Sequence, residues 1–367
     1  MSDKKFKVVI CRDLGPDVMP ILTSRKELDL TIWPHQTPCD RKWLLENIQG
    51  AAGVVVMLSD KVNDELLDAA GSSLKVVSTM SVGYEHVSLD ALKNRNIKLG
   101  YTPDVLTDAV ADIAVMLALM AGRNTKETMH IVDKGEWANH TWSPFSFCGP
   151  QLSTSSLPIS PDFPRPSSAT KVERTVGFLG FGRIAQATLA RLVPFGVTKC
   201  IYSTNPSSTT KPSDRSVDDA LAERIHLPKG SIYRVDQQML AKESDVLFVL
   251  APGGPATYHV IDEDFLKRMK KTAILINPSR GTLVDSDALA KALKEQWIWA
   301  AGLDVVEGEP NVAADHPLVQ EPRCVILPHI GSATFETRLG MATLAAQNVV
   351  AGILGAQMPT ELVLSDK

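Results

Sequence analysis

Short apolar runs alternate with longer segments of helical periodicity along most of the chain, the pattern of parallel α/β construction. The first runs read as strands at Phe6–Cys11, Gly53–Leu58, Leu74–Met80 and Lys98–Gly100, with polar helix-like segments such as Asp60–Ala70 between them. A second set of strands is predicted at Thr175–Leu179, Lys199–Ser203, Asp245–Leu250, Thr272–Asn277, Trp299–Val305 and Cys324–Pro328. Between the sets lies Asp108–Ala121, apolar on most faces. It is shorter than the roughly 20 residues of a bilayer span and carries Asp112, so it predicts a helix buried between domains or between subunits. The tail, Met341–Leu364, has a helical pattern and is expected to pack back on the first region. The chain then divides into residues 1–106 with 337–367, and residues 107–336. Gln151–Thr170 is rich in Ser, Pro and Thr without periodicity and reads as a flexible insertion.

The junction Val176-Gly177-Phe178-Leu179-Gly180-Phe181-Gly182-Arg183-Ile184-Ala185 runs from an apolar strand through a glycine turn into a helix. It has the form G-x-G-x-x-A. Gly180 permits the tight turn, Gly182 lets a pyrophosphate approach the backbone, and Ala185 lets helix and strand pack closely. The helix start at Arg183 and Ile184 offers N–H groups and a positive dipole end to phosphates. The first region has no such turn, which makes it the substrate-side domain.

The 367 residues allow two ordinary domains, and 44% hydrophobic with 22% charged residues is a globular composition. A net charge of −4 gives no basic footprint, so no nucleic-acid partner is expected. No membrane span, secretory signal or peroxisomal address is read from the chain, and the expected location is cytoplasmic. Cys11, Cys39, Cys148, Cys200 and Cys324 are odd in number and form no C-x-x-C. They read as unpaired, mostly buried thiols in a reducing compartment, with no metal site.

A dinucleotide domain beside a second domain suggests hydride transfer. That chemistry needs a group for the substrate's anionic end and an acid/base for its oxygen. Three candidates follow predicted strands. Arg280, in Asn277-Pro278-Ser279-Arg280-Gly281, can bind a carboxylate bidentately. His329, in Leu327-Pro328-His329-Ile330-Gly331, can exchange a proton near neutrality. A carboxylate beside the imidazole would orient it, and chemistry alone leaves Asp304, Glu307 and Glu309 as alternatives. The other histidines, His86 and His259 among them, read as structural.

These segments occur in order and resemble the D-isomer-specific 2-hydroxyacid dehydrogenase family over nearly the whole chain except Gln151–Thr170. The carrying motifs are Gly180–Ala185, Asn277–Gly281, Gly302-Leu303-Asp304-Val305 with Glu309-Pro310, and Leu327–Thr334. The resemblance implies a Rossmann dinucleotide-binding domain plus a smaller flavodoxin-like α/β substrate domain. It assigns catalysis to Arg280, Glu309 and His329, taking the acid before the proline as catalytic. It implies cofactor contacts at Pro252, Asp304 and Gly331, with Asp304 at the nicotinamide end. Leu74–Gly83, Gly100–Asp108 and Pro194-Phe195-Gly196-Val197 look like the glyoxylate/hydroxypyruvate reductase branch. There the backbone of Ser81, Val82 and Gly83 holds the substrate carboxylate and Leu58 lines the pocket. Ser332 joins the substrate contacts, and Trp142 matches a tryptophan that reaches the partner subunit's site, implying a homodimer. Glu309 argues against formate dehydrogenases, which carry an amide there. The absence of a following regulatory domain argues against the longer phosphoglycerate dehydrogenases.

The expected reaction is NAD(P)H-dependent reduction of small 2-oxo acids, glyoxylate to glycolate and hydroxypyruvate to D-glycerate. NAD-specific sites place an acid at the end of the second Rossmann strand. This chain reads Ile201-Tyr202-Ser203-Thr204-Asn205 instead. Ser203, Thr204 and Asn205, with Lys211 in reach, can serve a 2′-phosphate, so NADP(H) is the expected cofactor and NAD(H) is accommodated. The alternatives are a dehydrogenase for bulkier D-2-hydroxy acids, a dinucleotide-sensing transcriptional co-repressor of the same fold, and a catalytically silent nucleotide binder.

Overall fold

The computed structural model describes residues 5–140, 143, 146–156, 171–204 and 215–364. In chain order the first strands are β1 (Phe6–Ile10), β2 (Leu28–Ile32), β3 (Gly53–Val56), β4 (Val76–Thr79) and β5 (Lys98–Gly100). A short hairpin follows, β6 (Ser155–Ser156) with β7 (Lys171–Val172). Then come β8 (Thr175–Leu179), β9 (Lys199–Ser203), β10 (Ile232–Arg234), β11 (Val246–Val249), β12 (Ile274–Asn277), β13 (Ala300–Leu303) and β14 (Cys324–Ile326). The last strand is β15 (Glu361–Leu362). The chain forms two compact units, Met1–Leu106 with Ser332–Lys367, and Thr107–Gly331. No helix among the described residues is long and apolar enough to cross a membrane.

In the first unit the sheet order is β15-β5-β4-β3-β1-β2, parallel except for antiparallel β15. Its five parallel strands carry the flavodoxin order 2-1-3-4-5. β3 and β4 are buried at every position, as parallel strands covered on both faces must be. Val8, Ile10, Val55 and Val76 meet Ala345, Val349 and Ile353 of the Phe335–Leu354 helix. The alternate residues Val9, Val54, Val56 and Val77 meet Leu44, Leu66 and Leu92 on the other face.

That tail helix starts earlier than the predicted Met341. The Thr334 side chain accepts from the Thr337 N–H at 3.2 Å and caps it, and left-handed Gly355 ends it. Residues 332–336 therefore go with the helix, and the unit boundary falls after Gly331 rather than after 336. The predicted helical run to Leu364 gives way to β15.

The second unit has the order β10-β9-β8-β11-β12-β13-β14, all parallel. This is the Rossmann order 3-2-1-4-5-6 with one further strand. Leu247, Val249, Leu275 and Leu303 face Leu240, Leu266, Leu289 and Leu293. Phe178, Phe248, Ile274 and Ile276 face Leu189, Leu192 and the Thr107–Gly122 helix through Ala114, Leu117 and Ala118. That helix, expected between domains or subunits, is a layer on its own unit's sheet. Asp112, the polar break in its apolar run, takes the Arg191 guanidinium at 2.5 Å, with Asp108 at 2.9 Å.

The sequence reading missed β2 and β10. Both are edge strands with one paired flank, so neither needs a continuous apolar run. The expected insertion begins later than Gln151. Leu152 is buried, the Thr154 N–H donates to Phe195 O at 2.9 Å, and Ser155 pairs with Val172. Residues 157–170 lie outside the described residues.

Asn348 locks the tail helix to the sheet edge from a fully buried position. Its amide donates to Tyr101 O at 3.1 Å and to Thr360 Oγ1 at 2.9 Å, and its oxygen accepts the Thr360 N–H at 3.0 Å. Asn348→Ala strands these groups and should cost about 2–3 kcal/mol of stability in urea unfolding, as lost buried hydrogen bonds do. A loss below about 0.5 kcal/mol would show that the amide is not a structural lock.

Candidate active site

The glycine turn follows β8, where the strand order of its sheet reverses, the position at which such sheets take ligands. Gly180 has φ +85°, and a Cβ there would sit 2.6 Å from the Ala251 backbone nitrogen, so only glycine fits. At Gly182 a Cβ would meet nothing within 4 Å. That open space adjoins the start of the Arg183–Leu192 helix, whose N-cap is Gly182 without any side-chain cap. Uncapped N–H groups beside open space are a cradle for phosphate. Ala185 is buried against the sheet, and Phe181 stacks on Tyr202 with ring centroids 4.3 Å apart.

Beyond β9, Ser203 is buried and its hydroxyl lies 3.4 Å from Thr204 O. Thr204 Oγ1 is shielded and has no hydrogen-bond partner among the described residues. Asn205, Lys211 and Trp142 lie outside the described residues. Pro252 follows β11 on an exposed turn, and its carbonyl accepts from the Thr257 hydroxyl at 2.8 Å.

β12, β13 and β14 are neighbouring parallel strands, so their carboxyl ends lie side by side. Arg280 follows the first, Asp304 and Glu309 the second, and His329 the third. Asn277 shapes the Arg280 turn, donating to Arg280 O at 2.9 Å and accepting the Ser279 N–H at 3.1 Å. The Ser279 hydroxyl donates to Ala251 O at 2.6 Å, tying this turn to the one after β11. Arg280 is half-buried, and its guanidinium donates to Ser279 O at 2.8 Å.

The three acids left open by the sequence have separate duties. Glu309 Oε1 lies 2.9 Å from His329 Nδ1, while its Oε2 accepts the Val306 N–H at 3.3 Å. Glu307 turns to His259 Nε2 at 2.9 Å and the Tyr258 hydroxyl at 3.1 Å, so it is engaged with a histidine outside the catalytic set. Asp304 is buried and accepts the Ile330 and Gly331 N–H groups, each at 2.8 Å. Its carbonyl takes the His329 N–H at 2.9 Å. Burial pushes the Asp304 carboxyl above its ordinary range, opposed by those two N–H groups. Asp304, expected at the nicotinamide end, thus clasps the His329 loop from both sides.

His329 has φ +54°, a left-handed conformation uncommon outside glycine and asparagine. With Nδ1 against Glu309, Nε2 is the nitrogen left to meet a substrate oxygen. The pair is about one-third exposed, so a reacting group can approach it. A carboxylate at Nδ1 holds the imidazole in one orientation.

In the first unit, Leu58 is 42% exposed after β3, a large apolar side chain turned outward. Ser81 is buried, donates to Gly83 O at 2.6 Å and shares a 2.6 Å contact with Thr79 Oγ1. Thr79 Oγ1 also lies 2.9 Å from His86 Nε2. His86, read as merely structural, braces the Ser81–Gly83 loop through Thr79, a link across a turn that spacing did not announce. Ser332, half-buried, opens the segment leading to the tail helix.

Residues 164–331 match the family model for the NAD binding domain of D-isomer specific 2-hydroxyacid dehydrogenases. A human glyoxylate reductase/hydroxypyruvate reductase is 40% identical over 359 residues, 98% of each chain. The chain belongs to the D-isomer specific 2-hydroxyacid dehydrogenase family. A glyoxylate reductase of Thermococcus litoralis is 39% identical over 99% of this dehydrogenase and 98% of its own length. The NADPH-dependent glyoxylate/hydroxypyruvate reductase of Sinorhizobium meliloti, solved with NADP and malonate, superposes with a TM-score of 0.73. It shares 27% identity and covers 98% of both chains. The turn at Gly180–Gly182 fits the group this family binds, and the dehydrogenase's cofactor is a nicotinamide dinucleotide.

Gly182→Ala places a methyl group in the open cradle and nowhere else. It should weaken NADPH binding about tenfold, or 1.4 kcal/mol, in a fluorescence titration, while the thermal midpoint shifts by less than about 2 °C. Unchanged affinity would remove the phosphates from this turn.

Proposed function

We propose that this member of the glyoxylate/hydroxypyruvate reductase branch reduces glyoxylate to glycolate and hydroxypyruvate to D-glycerate. The observation that carries the reading is the His329–Glu309 pair at 2.9 Å, formed across the ends of β13 and β14, next to the strand that presents Arg280. When bound, the reduced dinucleotide supplies a hydride to the carbonyl carbon of the 2-oxo acid. Arg280 holds the substrate carboxylate in two parallel hydrogen bonds and polarises the neighbouring carbonyl. Within the first unit, the Ser81, Val82 and Gly83 backbone offers N–H donors suited to a carboxylate, and Leu58 and Ser332 are its further substrate contacts. Nε2 of His329 donates its proton to the oxygen as negative charge develops there, and Glu309 stabilises the imidazolium before that transfer. In oxidation the same nitrogen takes the proton back. Asp304 and Gly331 sit toward the nicotinamide, with Asp304 also fixing the His329 loop.

The preference for NADP(H), with NAD(H) accommodated, rests on the end of β9. Ser203 and Thr204 stand where a ribose-binding acid would repel a 2′-phosphate. Asn205 and Lys211 extend that polar surface in the sequence. A homodimer is supported by large apolar side chains left outward on the second unit: Met129 is 57%, Val132 55% and Trp137 70% exposed. Trp142 belongs to the same stretch of chain. The cysteines, none of them disulfide-linked, support a reducing compartment such as the cytoplasm.

His329→Ala should lower kcat by about a hundredfold to ten-thousandfold, with NADPH affinity nearly kept. Near-normal turnover in that variant rules out His329 as the proton donor. Ser203→Asp should reverse the ratio of kcat/KM for NADPH over NADH in steady-state rates. An untouched ratio would place the 2′-phosphate elsewhere.

A further inference from the structure

We infer that Cys11, Cys39 and Asp60 form a binding site for a thiophilic d10 cation of the zinc class, built into the first unit. The residues are far apart in sequence. Cys11 follows β1, Asp60 lies in the loop after β3, the neighbour of β1 in the sheet, and Cys39 precedes the Arg41–Asn47 helix. One ligand atom from each lies within 4.8 Å of the other two. A tetrahedral zinc ion, with Zn–S about 2.3 Å and Zn–O about 2.0–2.2 Å, holds such atoms about 3.5–3.8 Å apart, so a small contraction closes the site.

The surroundings suit a cation better than a simple pair of thiols. Cys11 is fully buried and Asp60 is 5% exposed, whereas Cys39 is partly open and gives an entry path. That opening leaves a fourth position for water. Asp60 is pinned from behind, its Oδ2 accepting the Met57 N–H at 2.7 Å, and such outer hydrogen bonds orient metal ligands. The two sulfurs and a carboxylate oxygen of Asp60 all lie within 4.8 Å of one another, so the three groups converge on one point. Two adjacent thiols alone would suit a disulfide, but a disulfide has no use for a buried carboxylate aimed at them. Two thiolates and a carboxylate select zinc-type ions over calcium or magnesium. With the ion bound the site is left one negative charge in excess, and the Arg12 and Arg41 guanidiniums act on Asp60 to offset it. Binding releases the thiol protons to solvent.

The test uses the full-length protein, reduced with a phosphine, stripped with a chelator and titrated with Co2+ without oxygen. It reads a thiolate-to-cobalt charge-transfer band and does not depend on reductase activity. The band should saturate at one Co2+ per chain and be bleached by Zn2+. Cys39→Ala, at the open side of the site, should weaken Co2+ binding more than about tenfold. Asp60→Asn should weaken it likewise while the thiolate band remains at saturation. Zn2+ should raise the thermal midpoint of the unaltered protein and leave that of Cys39→Ala unmoved. No band, a band undiminished in Cys39→Ala, or a Cys11–Cys39 disulfide whose reduced form takes up no Co2+ would each overturn the proposal.

Discussion

The buried carboxylate of Asp304 is the constraint on which the candidate active site depends. A carboxylate removed from water must be compensated, and here two backbone N–H groups of the next strand's loop do so, from Ile330 and Gly331. The same residue's carbonyl takes the N–H of His329. His329 is thereby gripped at its own N–H and at the two residues that follow it, and held in a left-handed backbone that a loose loop would abandon. From that posture its Nδ1 meets Glu309, and its other nitrogen is left for chemistry. A buried carboxylate thus sets the direction of the His329 imidazole.

The rest of the second unit supplies that clasp with fixed ground. Parallel strands covered on both faces place successive loops along one edge, and three neighbours deliver arginine, glutamate and histidine in turn. The strand reversal beside β8 puts the glycine turn on that same edge. The first unit uses the same logic with a smaller, flavodoxin-ordered sheet, closed on one face by a helix from the far end of the chain. The two strand orders agree with the family assignment.

The legible part of the sequence was the part with strong physical demands. Fully buried strands such as β8 and β12 must be mostly apolar, and a dinucleotide turn must have glycine where a Cβ would collide with Ala251. Edge strands face fewer demands, and β2 and β10 were passed over. The start of the tail helix was misplaced because its signal is a single capping hydroxyl, Thr334, rather than periodicity. At the site, the motifs singled out Arg280, Glu309 and His329. What they did not disclose was the division of labour among Asp304, Glu307 and Glu309, which depends on where three side chains turn. His86 behind the Ser81 loop and the meeting of Cys11, Cys39 and Asp60 depend on tertiary contact and leave no trace in spacing.

This edge of the sheet is where small 2-oxo acids are to be reduced. The most direct test is a set of initial rates with NADPH and NADH against glyoxylate, hydroxypyruvate, pyruvate and 2-oxoisocaproate, followed by loss of reduced-cofactor absorbance. NADPH oxidation should be fast with glyoxylate and hydroxypyruvate and slow with the other two. Nucleotide binding without turnover of any of the four acids would contradict it.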